Sequence, residues 1–167
     1  MKKNNDYLIE YSDIRDITID KFTEKLKSKM GLPLPDCKIS KLESHNDKPI
    51  LLGNGVYLVK DEENILFVGD CSSRKFAEKI PTHFNKRKGE NLNKIDFHYI
   101  DSYLDFFTQQ PNISLYNYKL ILINFNQSNY SKDDISKLKN LLDEIFVKRN
   151  DIIVKSKTVA EYIEELK

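Results

Sequence analysis

Two short β-rich runs around a polar stretch constrain this chain more than any other feature. Val56-Tyr57-Leu58-Val59 and Ile65-Leu66-Phe67-Val68 flank Lys60-Asp61-Glu62-Glu63-Asn64, the pattern of an antiparallel hairpin whose turn faces water. Side chains alternate across a pleat, so Tyr57 and Val59 are expected on one face and Val56 and Leu58 on the other. Gly53-Asn54-Gly55 precedes the first run as a hinge.

Elements on both sides follow from period and punctuation. Ile17, Ile19, Phe22, Leu26 and Met30 fall on one face of a helix over 16–30, which Gly31 ends. Leu32-Pro33-Leu34-Pro35-Asp36 reads as a linker, and Lys38 to Leu42 as a short strand. Residues 72–80 read as a short helix capped by Ser72 or Ser73, broken or kinked at Pro81. Ile95 to Ile100 and Tyr118 to Phe125 read as strands, and the near-continuous apolar character of the second implies burial on both faces. A long helix follows Ser131, whose spacing to Asp134 matches a capping box, with Ile135, Leu138, Leu141, Leu142 and Ile145 as its apolar stripe. Ile152 to Val154 reads as a strand, and a last helix starts at Thr158, with Glu161 in capping-box position. These elements amount to one α/β domain over 1–167: a small mixed or antiparallel sheet flanked by helices, with an N-terminal helical appendage over 1–48 and the core over 49–167.

Composition narrows the setting. With 27 basic against 26 acidic residues there is no global field to attract a polyanion, so any such site needs a local cluster. Lys86-Arg87-Lys88, with Arg74, Lys75, Lys79 and Lys94 nearby, is that cluster. Cys37 and Cys71 make no disulfide framework and fit a reduced, cytoplasmic setting. Met1-Lys2-Lys3-Asn4-Asn5-Asp6 has no apolar run behind it, and no stretch reaches the length of a membrane span, so neither a signal peptide nor a membrane association is expected.

Gly55-Val56-Tyr57 and Phe67-Val68-Gly69, followed by Phe76-Ala77-Glu78-Lys79-Ile80-Pro81-Thr82-His83-Phe84, resemble the opening of a GIY-YIG nuclease domain. Members of that family are small domains with a central three-stranded sheet flanked by helices, and they cleave phosphodiester bonds. They use a tyrosine from each tripeptide, an arginine on the following helix, and a glutamate on a later helix that holds one divalent metal ion. The resemblance places Tyr57 at the first tyrosine, Phe67 at the second, Lys79 at the arginine and His83 at the histidine of the helix frame, with about two extra residues in the preceding loop. Arg74 in that loop has the reach to supply a guanidinium to the same phosphate. Leu141 to Arg149 has the texture of the segment that carries the metal ligand, with Asp143 and Glu144 as alternatives.

The residue types suit that chemistry. A phenol takes a proton from the attacking water, a fixed cation steadies charge on the phosphate, and Mg²⁺ or Mn²⁺ neutralises the leaving oxygen. Phe67 cannot transfer a proton, and lysine lacks the bidentate fork of arginine. Each residue also has a plainer role open to it. Tyr57 suits hairpin packing, Lys79, Asp143 and Glu144 suit solvated helix faces, and His83 suits a cap at the Pro81 kink. Cys71 suits either a small loop position or a reactive thiol. Lys86, Arg87 and Lys88 suit a solvated loop or a clamp on a phosphate backbone. The resemblance implies a metal-dependent endonuclease or phosphodiesterase acting on nucleic acid, most simply DNA. The substitutions at its centre imply the alternative of a domain without catalysis that binds nucleic acid or a protein partner.

Overall fold

The computed structural model of the chain describes residues 6–33, 53–79, 118–125, 129–150, 153 and 155–166. Strands β3 (Asn54–Lys60) and β4 (Ile65–Cys71) form the expected hairpin, pairing antiparallel with Tyr57 opposite Gly69 and Val59 opposite Phe67. The turn between them is closed locally. Asp61 accepts through Oδ1 from the backbone N–H of Glu63 (2.8 Å) and of Asn64 (2.6 Å), and its own N–H donates to the Asn64 carbonyl (3.0 Å). An aspartate at this position folds the chain back through its side chain, so no glycine is required.

Strand β5 (Lys119–Phe125) lies antiparallel against the other edge of β3, with Leu122 opposite Tyr57 and Ile123 opposite Val56. Beyond it, β1 (Leu8–Glu10) runs parallel to β5, and the two-residue β2 (Leu32–Pro33) pairs antiparallel with the start of β5. The result is a mixed sheet in the order β1-β5-β3-β4 with β2 extending the β1 edge. Every residue of β3 is buried, because this central strand is covered on both faces.

Helices α1 (Tyr11–Ile14), α2 (Ile19–Ser28), α3 (Phe76–Lys79), α4 (Lys132–Leu142) and α5 (Val159–Glu165) complete the described fold. Ile19, Phe22 and Leu26 of α2, Ile135, Leu138, Leu141 and Leu142 of α4, and Val159 and Ile163 of α5 share one core with Val56, Leu58, Ile121 and Ile123 of the sheet. Each such side chain contributes about 1.5–3 kcal/mol on full burial. The capping boxes are present as expected: Ser131 with Asp134 opens α4, and Thr158 with Glu161 opens α5. No helix among the described residues is long and apolar enough to cross a membrane.

Several expectations are refined by contacts within the fold. The helix expected over 16–30 covers Ile19–Ser28, because Thr18 caps it by accepting from the Lys21 N–H. Gly31, at φ 77°, turns the chain sharply, and Leu32-Pro33, expected in a linker, pairs with β5 instead. Proline is tolerated there because β2 lies at the sheet edge. Helix α3 starts at Phe76 rather than Ser72 or Ser73: the Phe76 N–H donates to the Gly53 carbonyl (3.0 Å), so the hinge takes the place of a serine cap. The expected strands over 38–42 and 95–100, Pro81, Ile152 and Val154 lie outside the described residues.

The described part of segment 1–48 is sewn into the core. Ile19 N–H donates to the Lys157 carbonyl (2.8 Å), Val159 N–H to the Ile17 carbonyl (3.1 Å) and Ala160 N–H to the Arg15 carbonyl (2.9 Å). Lys60, at the end of β3, is buried and donates through Nζ to the carbonyls of Lys27 (3.0 Å) and Lys29 (2.7 Å). It thereby serves the last carbonyls of α2, where a positive charge also opposes the helix dipole. Its burial pushes the ammonium pKa down.

Candidate functional site

A cleft of about 320 Å³ runs along β4, the outer strand of the described sheet, and is lined by the hairpin, the end of α3 and the end of α4. Its floor is aromatic. Tyr57 is only 2% exposed, and its ring lies across the backbone of its cross-strand partner Gly69, so closely that a Cβ there would sit 2.7 Å from Tyr57 Cε1. An aromatic ring that covers a glycine on the neighbouring strand shields backbone that would otherwise be open. Phe67 stands beside Tyr57, ring centroids 5.9 Å apart and planes tilted by 45°, and is half-buried on the cleft wall.

The facing wall comes from a change of helical pitch. Helix α4 runs into a π-helical turn, Asp143–Val147, in which the Lys148 N–H donates to the Asp143 carbonyl five residues back (2.8 Å). The chain then leaves through Arg149 in a left-handed conformation, φ 52°. Such widened turns recur at functional sites. Here the turn splits two adjacent carboxylates. Asp143 lines the cleft and is ion-paired with Lys139, whereas Glu144 accepts from Lys148 Nζ (2.9 Å) and Asn150 Nδ2 (2.9 Å) and does not line it. The hydrogen bond from Lys148, with help from Asn150, holds the Glu144 carboxyl below its ordinary pKa. Of the alternatives Asp143 and Glu144, only Asp143 lines the cleft.

Lys79 closes the third side. Its Nζ donates to the Asp70 carbonyl, while the Asp70 carboxylate accepts from Ser72 Oγ (3.2 Å). Arg74 lines an adjoining pocket of about 220 Å³ that shares Asp70 and Lys79 with the main cleft. Its loop is pinned to the start of β3, where Asn54 Nδ2 donates to the carbonyls of Cys71 (2.9 Å) and Arg74 (3.0 Å). Tyr57, Lys79 and Asp143 therefore meet in one cleft, with Arg74 next to it. His83, Lys86, Arg87 and Lys88 lie outside the described residues. Asp70, Lys139 and Lys148 also line the cleft, and neither the tripeptides nor the helix frame point to them. Lys139 and Lys148 each stand four residues from the carboxylate that they pair with, and that spacing could have signalled them.

Among the described residues no three His, Cys, Asp or Glu side chains come together. The one carboxylate on the π-helical wall of the cleft, Asp143, already meets the Lys139 ammonium. A hard cation takes several oxygen ligands, and at Asp143 it would have to displace a lysine that repels it.

Cys71 ends β4 with no exposed surface, and burial pushes its thiol up to about 12. A nucleophilic cysteine needs the opposite shift, so of its two roles the packing one suits this environment. In a Cys37→Ser variant, Cys71 should stay unlabelled by a disulfide-exchange reagent at pH 8 in native buffer and react fully in denaturant. Rapid labelling of the folded protein would contradict that.

Comparison with protein-family models, with curated protein sequences and with solved structures finds no match to this chain.

Proposed function

We propose that the cleft receives a phosphodiester of a nucleic acid, and that the chain acts as a GIY-YIG-like binding domain. One observation carries this reading: Tyr57, Lys79 and Asp143, taken from three separate elements, line the same cleft, where Lys139 and Lys148 add two further ammonium groups. Point charges suffice to hold a phosphate backbone without base-specific geometry. Asp143 paired with Lys139 favours binding over metal-dependent hydrolysis.

Fluorescence anisotropy with a labelled oligonucleotide tests the reading. A Lys79→Ala/Lys148→Ala variant should bind more weakly at every sequence and with a flatter salt dependence, each lost phosphate contact lowering the slope by roughly 0.9 for duplex DNA. Neutralising Lys86, Arg87 and Lys88 together should act the same way if their loop extends the clamp. Absence of binding at low salt would remove the nucleic-acid reading and leave a protein partner as the role of this surface. A second reading, hydrolysis of the same phosphodiester, is favoured by the phenol of Tyr57 and the carboxylate of Asp143 lining one cleft. Plasmid nicking that requires Mg²⁺ or Mn²⁺ and disappears in Tyr57→Phe, with DNA affinity nearly unchanged, would select it. No nicking with either ion would discard it.

A further inference from the structure

We infer that Asn54 is a positioning residue of this surface: it orders the loop between β4 and α3 so that the Arg74 guanidinium is presented to a backbone phosphate. This role rests on the proposed nucleic-acid function and names the residue that readies one of its cations.

Arg74 is exposed and lines the pocket adjoining the cleft. Among the described residues its guanidinium has no hydrogen-bond or ion-pair partner. Lys139 and Lys148, by contrast, already meet Asp143 and Glu144. A guanidinium is more weakly hydrated than an ammonium, and its planar fork matches two phosphate oxygens at once. Arg74 therefore keeps its charge and its side-chain donors open to a ligand.

Its backbone is held from the central strand. Residues 73–75 are exposed on the way from β4 to α3. Asn54 opens β3 at only 3% exposure, in a strand that continues as Val56-Tyr57-Leu58-Val59. Asparagine is disfavoured in strands, and a buried amide costs free energy unless its donors are spent. Here both are spent on the loop: Nδ2 donates to the carbonyls of Cys71 (2.9 Å) and Arg74 (3.0 Å). One residue earlier, the Gly53 carbonyl accepts from the N–H of Phe76 (3.0 Å), whose side chain is fully buried. Two consecutive residues thus tie the loop at its start, at Arg74 and at the first residue of α3.

Order of this kind favours binding. An exposed arginine on a free loop gives up backbone and side-chain freedom when it grips a phosphate, and a loop ordered beforehand has already lost the backbone part. Asn54 is neutral and buried, so it acts on a bound phosphate only through the loop that carries Arg74.

The experiment is anisotropy of a labelled duplex oligonucleotide over a salt series, on the full chain and on Arg74→Ala, Asn54→Ala and the double variant. Arg74→Ala should bind about tenfold more weakly at low salt, as for one charge-assisted hydrogen bond, and lower the salt slope by roughly 0.9. Asn54→Ala changes no charge, yet it should also weaken binding and flatten the slope, and it should cost nothing further in the Arg74→Ala background. A residue that only stabilised the fold would leave the slope alone and act equally in both backgrounds. Additive losses, or an Asn54→Ala slope equal to that of the parent protein, overturn the role. Should Asn54→Ala fail to fold, backbone order parameters of the unaltered protein decide. Ser73, Arg74 and Lys75 should then stand near the value of about 0.85 for rigid backbone, and values below about 0.6 overturn the role. Binding unchanged in Arg74→Ala overturns it as well, and in that case weakening by Lys79→Ala/Lys148→Ala leaves the phosphate reading standing. Binding to no nucleic acid overturns both.

Discussion

Replacing Gly55 with alanine should cost about 4 kcal/mol or more, the range reached only when a mutation breaks a special feature of the fold, and so leave little folded protein. Gly55 lies in the central strand, paired with Cys71 on one side and Asn124 on the other. A Cβ on it would sit 3.0 Å from the carbonyl carbon of Ile123, closer still to the carbonyl oxygen, and 3.0 Å from Phe76 Cζ. The obstacle is backbone on the neighbouring strand. Relief requires β3 and β5 to part, which gives up ladder hydrogen bonds between two buried strands. Truncating Phe76 would open room on one side and leave the carbonyl in place. Urea unfolding should therefore show a large loss for Gly55→Ala that Phe76→Leu does not rescue. A midpoint close to that of the parent protein would refute the close approach of these strands.

Gly69→Ala should behave differently, because what stands over Gly69 is a side chain. Its Cβ would run into the Tyr57 ring, and overpacking of this kind costs about 1–3 kcal/mol. A side chain is able to yield where backbone is not. In a Tyr57→Leu background the cost of Gly69→Ala should largely vanish, a coupling of about 1–2 kcal/mol in a double-mutant cycle. The same substitution displaces the Tyr57 ring from the cleft floor, so oligonucleotide binding should weaken as well. Additive single and double variants would show that the ring does not rest on Gly69.

How much of this was legible in the chain depends on the distance over which each interaction acts. The hairpin was legible because its signals sit close together in the chain: two β-rich runs around an all-polar turn. Both capping boxes were legible because Ser131 with Asp134 and Thr158 with Glu161 act over three residues. The burial of β5 on both faces was readable from its apolar run, but its place beside β3 was not. That place depends on pairing Leu122 with Tyr57 across more than sixty residues, and no local pattern encodes it.

The cleft divides in the same way. Tyr57, Lys79 and the adjacent Asp143 and Glu144 could be named only through the resemblance carried by the tripeptides and the two helical segments beyond them. Lys139 and Lys148 could not be placed at this cleft, because only the packing of α4 against the hairpin brings them there. The choice between Asp143 and Glu144 needed the π-helical turn. An ordinary helical period puts both off the apolar stripe, while the widened turn sends one carboxylate to Lys139 at the cleft and the other to Lys148 and Asn150. By itself, then, the sequence determined the local elements and the chemical types on them, because backbone preference, capping and alternation act between near neighbours. Tertiary structure alone decided the sheet order, the contribution of residues 8–33 to the core and which charges face the cleft, because those depend on burying apolar faces that lie far apart in the chain.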